Sequence, residues 1–238
     1  MSVRRPTEHG ISVARSERLV EALQGLVQRL RPQAVVETGT YLGLGTTRLI
    51  LEATADAPPE VFYTIEASPV HYADAVANLL HAPHVHCLWG LSVDRCAAEA
   101  FIRDDALLRE PAARGELFID SDTPVEAYLA EVGGAGGTGQ AVEIIPEAWL
   151  ERLLPRLREK RPLIALDSAG GIGWLEYREV RRLMGEAVFG LFLDDINHVK
   201  HHRSFVHLRS DPAIELLAHD ETAGWAVALH AAAGRTWS

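Results

Sequence analysis

From residue 12 to residue 30 apolar positions recur at helical spacing, at Leu19, Leu23, Leu26, Val27 and Leu30, and Arg31-Pro32 closes the run. Positions three or four apart share one face of a helix, so this segment is expected to be an amphipathic helix that covers a sheet. The short apolar run 34–37 predicts a buried strand, followed by a Gly-rich turn and a helix over about 46–55. Val61-Phe62-Tyr63-Thr64-Ile65-Glu66 predicts a second strand, and Tyr72, Val76, Leu79 and Leu80 are expected to line one face of the helix after it. Residues 84–89 predict a third strand, closed by Gly90-Leu91-Ser92. Strands and helices alternating at these lengths join through right-handed crossovers into a parallel sheet.

The alternation breaks between about Arg103 and Arg161, where helical pieces flank Gly133-Gly134-Ala135-Gly136-Gly137-Thr138-Gly139, a run with almost no side chains to pack and therefore a loop. Trp149, Leu150, Leu153 and Leu154 predict a helix beginning near Pro146 that Pro155 should kink or end. Regular order resumes with a strand over 162–167, a helix over 175–184 and a strand over 189–194. Two apolar stretches, 213–218 and 224–230, joined by His219-Asp220-Glu221-Thr222, predict an antiparallel hairpin. The expectation is a doubly wound α/β fold: seven strands, mostly parallel, with a C-terminal antiparallel hairpin and helices on both faces. It forms a single domain over 1–238, with 1–33 as an N-terminal helical cap and 103–161 as an insertion or lid. Glu116-Leu117-Phe118-Ile119-Asp120 is left open as an eighth strand or as a replacement for one of the seven.

Composition narrows the function classes. The chain of 238 residues, 47% hydrophobic and 24% charged, is long and apolar enough for one large α/β core, which excludes general disorder and a fibrous architecture. A net charge of -10 argues against a nucleic-acid partner, because that affinity comes largely from Lys and Arg displacing counterions. The basic run Arg156-Leu157-Arg158-Glu159-Lys160-Arg161 is interrupted by Glu159 and reads as a solvated helix face. Cys87 and Cys96 are too few for a disulfide framework and lack metal-ligand spacing, so both are expected as reduced core or near-core residues. Met1-Ser2-Val3-Arg4-Arg5-Pro6 leads into polar sequence, and no apolar stretch is long enough to span a bilayer, so a cytoplasmic protein without a membrane partner is expected.

The chemistry concentrates at strand ends. The first strand runs into E-x-G-x-x-x-G-x-G, carried by Glu37, Gly39, Gly43 and Gly45 with Tyr41 inside the turn. Glycine there lets the backbone bend sharply and lets a ligand approach where a Cβ would collide. Glu66 ends the second strand, 27 residues beyond Gly39, where a carboxylate can accept hydrogen bonds from both hydroxyls of a ribose. Ala67 and Ser68 follow it, and Gly90 and Ser92 close the third strand, where Ser92 could meet an adenine edge through its backbone or hydroxyl.

In these residues the chain resembles the class I S-adenosylmethionine-dependent methyltransferases, whose first motif is commonly E/D-x-G-x-x-x-G. The resemblance implies S-adenosyl-L-methionine as cofactor, with Glu37 near its methionine amino group, Glu66 on its ribose, and Gly39 and Gly43 framing the turn. Tyr41, Ala67, Ser68, Gly90, Ser92 and Asp167 complete the expected cofactor contacts. The alternative is a nicotinamide dinucleotide domain, but Gly43-Leu44-Gly45-Thr46-Thr47-Arg48 places Arg48 where its fingerprint needs a third glycine.

Ligands in open α/β sheets collect at the carboxyl ends of strands, which brings Asp167, Asp194 and Asp195 toward one region. Methyl transfer needs alignment and removal of a proton from the acceptor, and His198 or Lys200, with Asp167, are the catalytic candidates. The three aspartates could instead hold Mg2+ or another divalent cation. That reading resembles the catechol-type and macrolide-sugar O-methyltransferases, although Asp195 stands where the catechol enzymes often carry Asn. The plain alternative is one acid at the cofactor and two capping the next helix. His198, His201 and His202 could bind a transition metal, but their spacing with a carboxylate is not specific. The expected activity is methyl transfer to a small-molecule hydroxyl, with the insertion shaping the pocket or a contact between copies of the chain. A non-catalytic cofactor-binding or assembly protein of the same fold is the alternative of a different class.

Overall fold

The computed structural model describes residues 16–133, 146–168 and 171–231. The Ser16 hydroxyl accepts the Leu19 N–H at 3.2 Å and so starts α1 (Glu17–Leu30), which buries Leu19, Leu23, Leu26, Val27 and Leu30. Burial of five such side chains contributes on the order of 10 kcal/mol before entropy is counted. All five residues of β1 (Ala34–Thr38) are buried, as a central parallel strand requires. Then follow α2 (Thr46–Ala53), β2 (Val61–Glu66), α3 (Pro69–Asn78), β3 (Val85–Trp89) and α4 (Arg95–Asp104). The short helices α5 (Ala106–Arg109) and α6 (Pro111–Arg114) lead to α7 (Pro124–Val132) and α8 (Trp149–Leu157). The remainder is β4 (Leu163–Leu166), α9 (Gly173–Met184), β5 (Phe189–Leu193), α10 (His202–Ser210), β6 (Ile214–Asp220) and β7 (Trp225–His230).

The strands form one sheet in the order β3-β2-β1-β4-β5-β7-β6, in which β7 runs antiparallel to β5 and β6 and all other pairs are parallel. The doubly wound, seven-stranded architecture expected from the sequence is therefore present. Successive residues alternate between two cores. Val35, Leu163, Ala165, Phe192 and Val227 pack under α1 and α2, whereas Val36, Ile164, Leu166, Leu191 and Ala228 pack under α4, α8, α9 and α10. The chain winds from β1 through β2 to β3 and then returns past β1 to β4, so the crevice opens between the carboxyl ends of β1 and β4.

Several local expectations change. In α3 the buried face is Ala75, continued by Leu79, while Val76 and Leu80 are exposed. The helix lies at the β3 edge of the sheet and covers only a narrow stripe, so the apolar residues on its flanks remain in solvent. Cys96 is exposed because the buried stripe of α4 runs through Ala98 and Ile102. Pro155 does not stop α8 at once: the buried stripe Leu150, Leu153, Leu154 and Leu157 carries it to Leu157, and the last turn tightens into a 3-10 helix over Arg158–Lys160. Residues 116–120 are not a sheet strand. Phe118 makes a single parallel bridge to His198, through Phe118 N–H to Asn197 O at 3.2 Å and Val199 N–H to Phe118 O at 3.1 Å. The polar segment 202–210 shows no apolar stripe, yet it forms α10, anchored by Phe205, Leu208 and Ser204. Gly134 to Gly139 of the Gly-rich run lie outside the described residues, as do Ala169 and Gly170. Among the described residues no helix is long and apolar enough to cross a membrane.

Candidate functional site

The turn after β1 is held in a shape that ordinary residues resist. Gly39 and Gly43 have φ of +82° and +70°, and a Cβ on Gly39 would stand 2.2 Å from the Asp167 carbonyl oxygen. On Gly43 it would meet Leu79 Cδ1 at 2.8 Å. Tyr41 also takes a left-handed conformation, φ 50°, which costs a non-glycine residue about 1–2 kcal/mol. Glu66 compensates, because its Oε2 accepts the Tyr41 N–H at 2.7 Å while its Oε1 accepts the Ser68 N–H at 2.8 Å. Each oxygen keeps a further lone pair for a ligand hydroxyl. Burial pushes the Glu66 carboxyl above its ordinary value.

Glu37 is fully buried. Its Oε2 accepts hydroxyl protons from Thr47 at 2.7 Å and Thr64 at 2.6 Å, and its Oε1 is buried without a hydrogen-bond partner. Burial pushes this carboxyl up to about 8, the two hydroxyls notwithstanding. A buried carboxylate oxygen with nothing to accept from is costly, and a ligand ammonium supplies the missing donor.

Ala67 O accepts the Trp89 indole N–H at 3.2 Å, and Ser68 caps α3 through its hydroxyl. Gly90 has φ +137° and leaves no room for a Cβ, which would lie 2.1 Å from Pro146 O. Of the two Ser92 groups expected at an adenine edge, the hydroxyl is committed elsewhere. It donates to Glu176 Oε1, in the interior, and the Ser92 carbonyl accepts the Leu150 N–H at 2.9 Å. Glu176 also accepts the hydroxyls of Ser168 at 2.7 Å and Thr38 at 3.2 Å, so one buried carboxylate ties together β1, the loops after β3 and β4, and α9. Its signal in the sequence was an acid in line with Val180 and Leu183 on the apolar stripe of a helix.

At the reaction end, Asp167, Asp194 and Asp195 do converge, with carboxylate oxygens within 4.8 Å of one another. A cation of the chain stands among them. Lys200 Nζ lies 2.7 Å from Asp195 Oδ2 and 3.3 Å from Asp167 Oδ1, whose Oδ2 accepts the Thr46 hydroxyl at 2.9 Å. Burial pulls the Lys200 ammonium down, but the three aspartates more than reverse this and hold it above its ordinary value. That is the opposite of what a proton acceptor needs. Burial, then the neighbouring Asp167 and Asp195 charges, raise Asp194 well above the carboxylate range; Asp195, which burial alone would raise, is held low by Lys200.

His198 has also committed its lone pair. Nδ1 accepts the Lys200 N–H at 3.0 Å, which places the proton of a neutral ring on Nε2, 3.8 Å from Asp120 Oδ1. Burial raises Asp120, but the His198 imidazole beside it and the hydrogen bond from the Tyr128 hydroxyl lower it to about 2. His201 is buried and held well below its ordinary value by burial and by Lys200. Among the described residues His198, His201 and His202 form no metal-ligating group. Nothing in the spacing of α7 singles out Glu131. Glu131 is exposed, yet partial loss of solvent and the Asp120 charge push its carboxyl up to about 7, opposed by Lys200 and reinforced by Glu66.

The crevice at the β1/β4 switch point, glycine turn included, lies in a sheet that also occurs among solved structures. The O-methyltransferase from Bacillus cereus in complex with SAH superimposes with a TM-score of 0.50 at 14% identity, covering 92% of this chain and 83% of that one. The fold is the Rossmann-like methyltransferase fold. Cofactor-bound Rv0187 from MTB matches equally, with a TM-score of 0.50 and 15% identity over 92% of this chain and 83% of that one. No family model matches this chain, and neither does any curated protein sequence. The strand-end positions of Glu37, Glu66 and Asp167 surround the switch point, while Tyr128 of α7 lies against Gly171 after β4 and Phe118 bridges His198 after β5.

Proposed function

We propose that the protein is an S-adenosylmethionine-dependent methyltransferase acting on a hydroxyl oxygen of a small molecule. The observation that carries this reading is Glu37 Oε1, a buried carboxylate oxygen without a donor at the end of β1, on a fold whose solved examples include an O-methyltransferase holding SAH. The orphaned oxygen fits the cofactor's amino group and the Glu66 carboxylate fits its ribose hydroxyls. When bound, the cofactor supplies a methyl group made electrophilic by its positive sulfur. The residues of the chain bind, align and move a proton: Glu37 pairs with the amino group, Glu66 fixes the ribose, and Gly39 and Gly43 keep the turn close to both. Glu131, whose carboxyl is raised to about 7 by partial desolvation and by the charges of Asp120 and Glu66, is the group we assign to take the acceptor's proton as the oxygen attacks. We prefer Glu131 to His198 and Lys200 as general base because His198 Nδ1 already accepts the Lys200 N–H and the Lys200 ammonium is held above its ordinary value. The test is binding of S-adenosylhomocysteine by calorimetry, followed by turnover with hydroxylated acceptors; binding without turnover favours a non-catalytic cofactor-binding protein.

Two expected results follow from the carboxyl groups. Glu131→Gln should lower kcat by roughly 10²-fold, the scale of general-base catalysis, and remove the acid limb of the kcat profile near pH 7. A profile that keeps this limb in the variant assigns the proton to another group. Glu37 is protonated at neutral pH in the free protein, since burial holds it at about 8 instead of the usual 4.5. Pairing with an ammonium favours its ionised form, so ligand binding below that value releases a proton and affinity rises with pH up to about 8. Calorimetry of S-adenosylhomocysteine in buffers of different ionisation enthalpy measures the released proton, and Glu37→Gln should abolish it.

A further inference from the structure

A divalent cation would need several oxygens at about 2.0–2.6 Å and a shell of six or more ligands. The three aspartates at the ends of β4 and β5 do not offer that, because an ammonium 2.7 Å from Asp195 Oδ2 and 3.3 Å from Asp167 Oδ1 fills the space between them and repels a second cation. The lysine is built in and not a surface residue folded over. Lys200 is 5% exposed, its backbone N–H is fixed by His198 Nδ1 at 3.0 Å, and its stem runs across Gly173. A Cβ on Gly173 would come within 2.6 Å of Lys200 Cγ, so the start of α9 is hollowed to admit this side chain.

We propose that Lys200 replaces the divalent cation in this protein: its ammonium compensates the Asp167, Asp194 and Asp195 cluster and presents its remaining N–H to the oxygen of the methyl acceptor. An ammonium has three N–H donors, and Asp195 and Asp167 take two. The chemistry differs from that of a metal in a way that reaches the substrate. A metal binds two neighbouring oxygens at once, whereas one N–H binds one, so a lone hydroxyl suffices and a vicinal pair brings no advantage.

The test is a titration of the full chain with Mn2+, read as loss of the free-ion paramagnetic resonance signal. The unmodified protein should leave Mn2+ free up to millimolar concentration. Lys200→Ala, which empties the space among the carboxylates, should bind it on the order of tenfold more tightly or better; Lys200→Met, which retains the stem, carries the same comparison if the shorter side chain prevents folding. Micromolar Mn2+ binding by the unmodified protein overturns the proposal. Absence of binding in the unmodified protein and in a folded variant also overturns it, because the carboxylates are then no latent metal site. Turnover, which rests on the proposed methyl transfer, should persist in excess chelator, and loss of turnover there contradicts the proposal. Failure to bind S-adenosylhomocysteine would remove the proposed function and leave the Mn2+ result standing.

Discussion

Glu66→Ala is expected to weaken S-adenosylhomocysteine binding by roughly 10²–10⁴-fold, because two hydroxyl hydrogen bonds to a charged acceptor, each worth about 1.5–3 kcal/mol, are lost together. The residue also accepts the amide protons of Tyr41 and Ser68, so its removal loosens the turn whose left-handed Tyr41 it holds. These two contributions separate in experiment. Glu66→Gln keeps the side-chain volume and one carbonyl oxygen; it should retain the melting temperature more closely than Ala does and still lose most of the affinity. Wild-type affinity in a folded Glu66→Ala protein would show that the ribose is held elsewhere.

The second large effect concerns stability. Glu176→Ala should cost about 2–4 kcal/mol, since it strands hydroxyl donors of Ser92, Ser168 and Thr38 in the interior and leaves a cavity under the turn. Urea unfolding followed by circular dichroism measures this as a lower midpoint at unchanged slope. The desolvation that raises the Glu176 carboxyl offsets part of what the three hydrogen bonds contribute. Glu176→Gln should therefore lose less than Ala, and a loss in Glu176→Ala below the exposed-residue range of about 0.5 kcal/mol would contradict the linking role.

The parallel strands are legible because complete burial leaves a plain mark: β4 and β5 carry no polar residue, and β1 is apolar until Glu37 and Thr38 at its end. Glu37 and Glu66 were legible for the same reason, since strand ends in such a sheet point at one crevice. The aspartates at the ends of β4 and β5 were found in the same way. What compensates them was not. Lys200 reaches back across α9 from a loop, through room made by Gly173, and no spacing in the chain encodes that contact. Ser92 was placed by its position after β3, yet its rotamer is decided by Glu176, 84 residues away. The segment 116–120 has the short apolar run of a strand, Leu117-Phe118-Ile119, but its partner is a loop, and pairing partners are not written locally. The short helix α10 carries too few apolar residues to show a stripe, although Phe205 and Leu208 anchor it.

The crevice between β1 and β4 is where we propose that S-adenosylmethionine binds. Isothermal titration of the intact protein with S-adenosylhomocysteine tests it directly, at pH 8 where the Glu37 carboxylate is available to an ammonium. One site per chain is expected, with a dissociation constant on the order of micromolar, corresponding to about 8 kcal/mol, and a fall in affinity with Glu66→Ala. A flat titration at millimolar ligand, or undiminished binding in that variant, would contradict it.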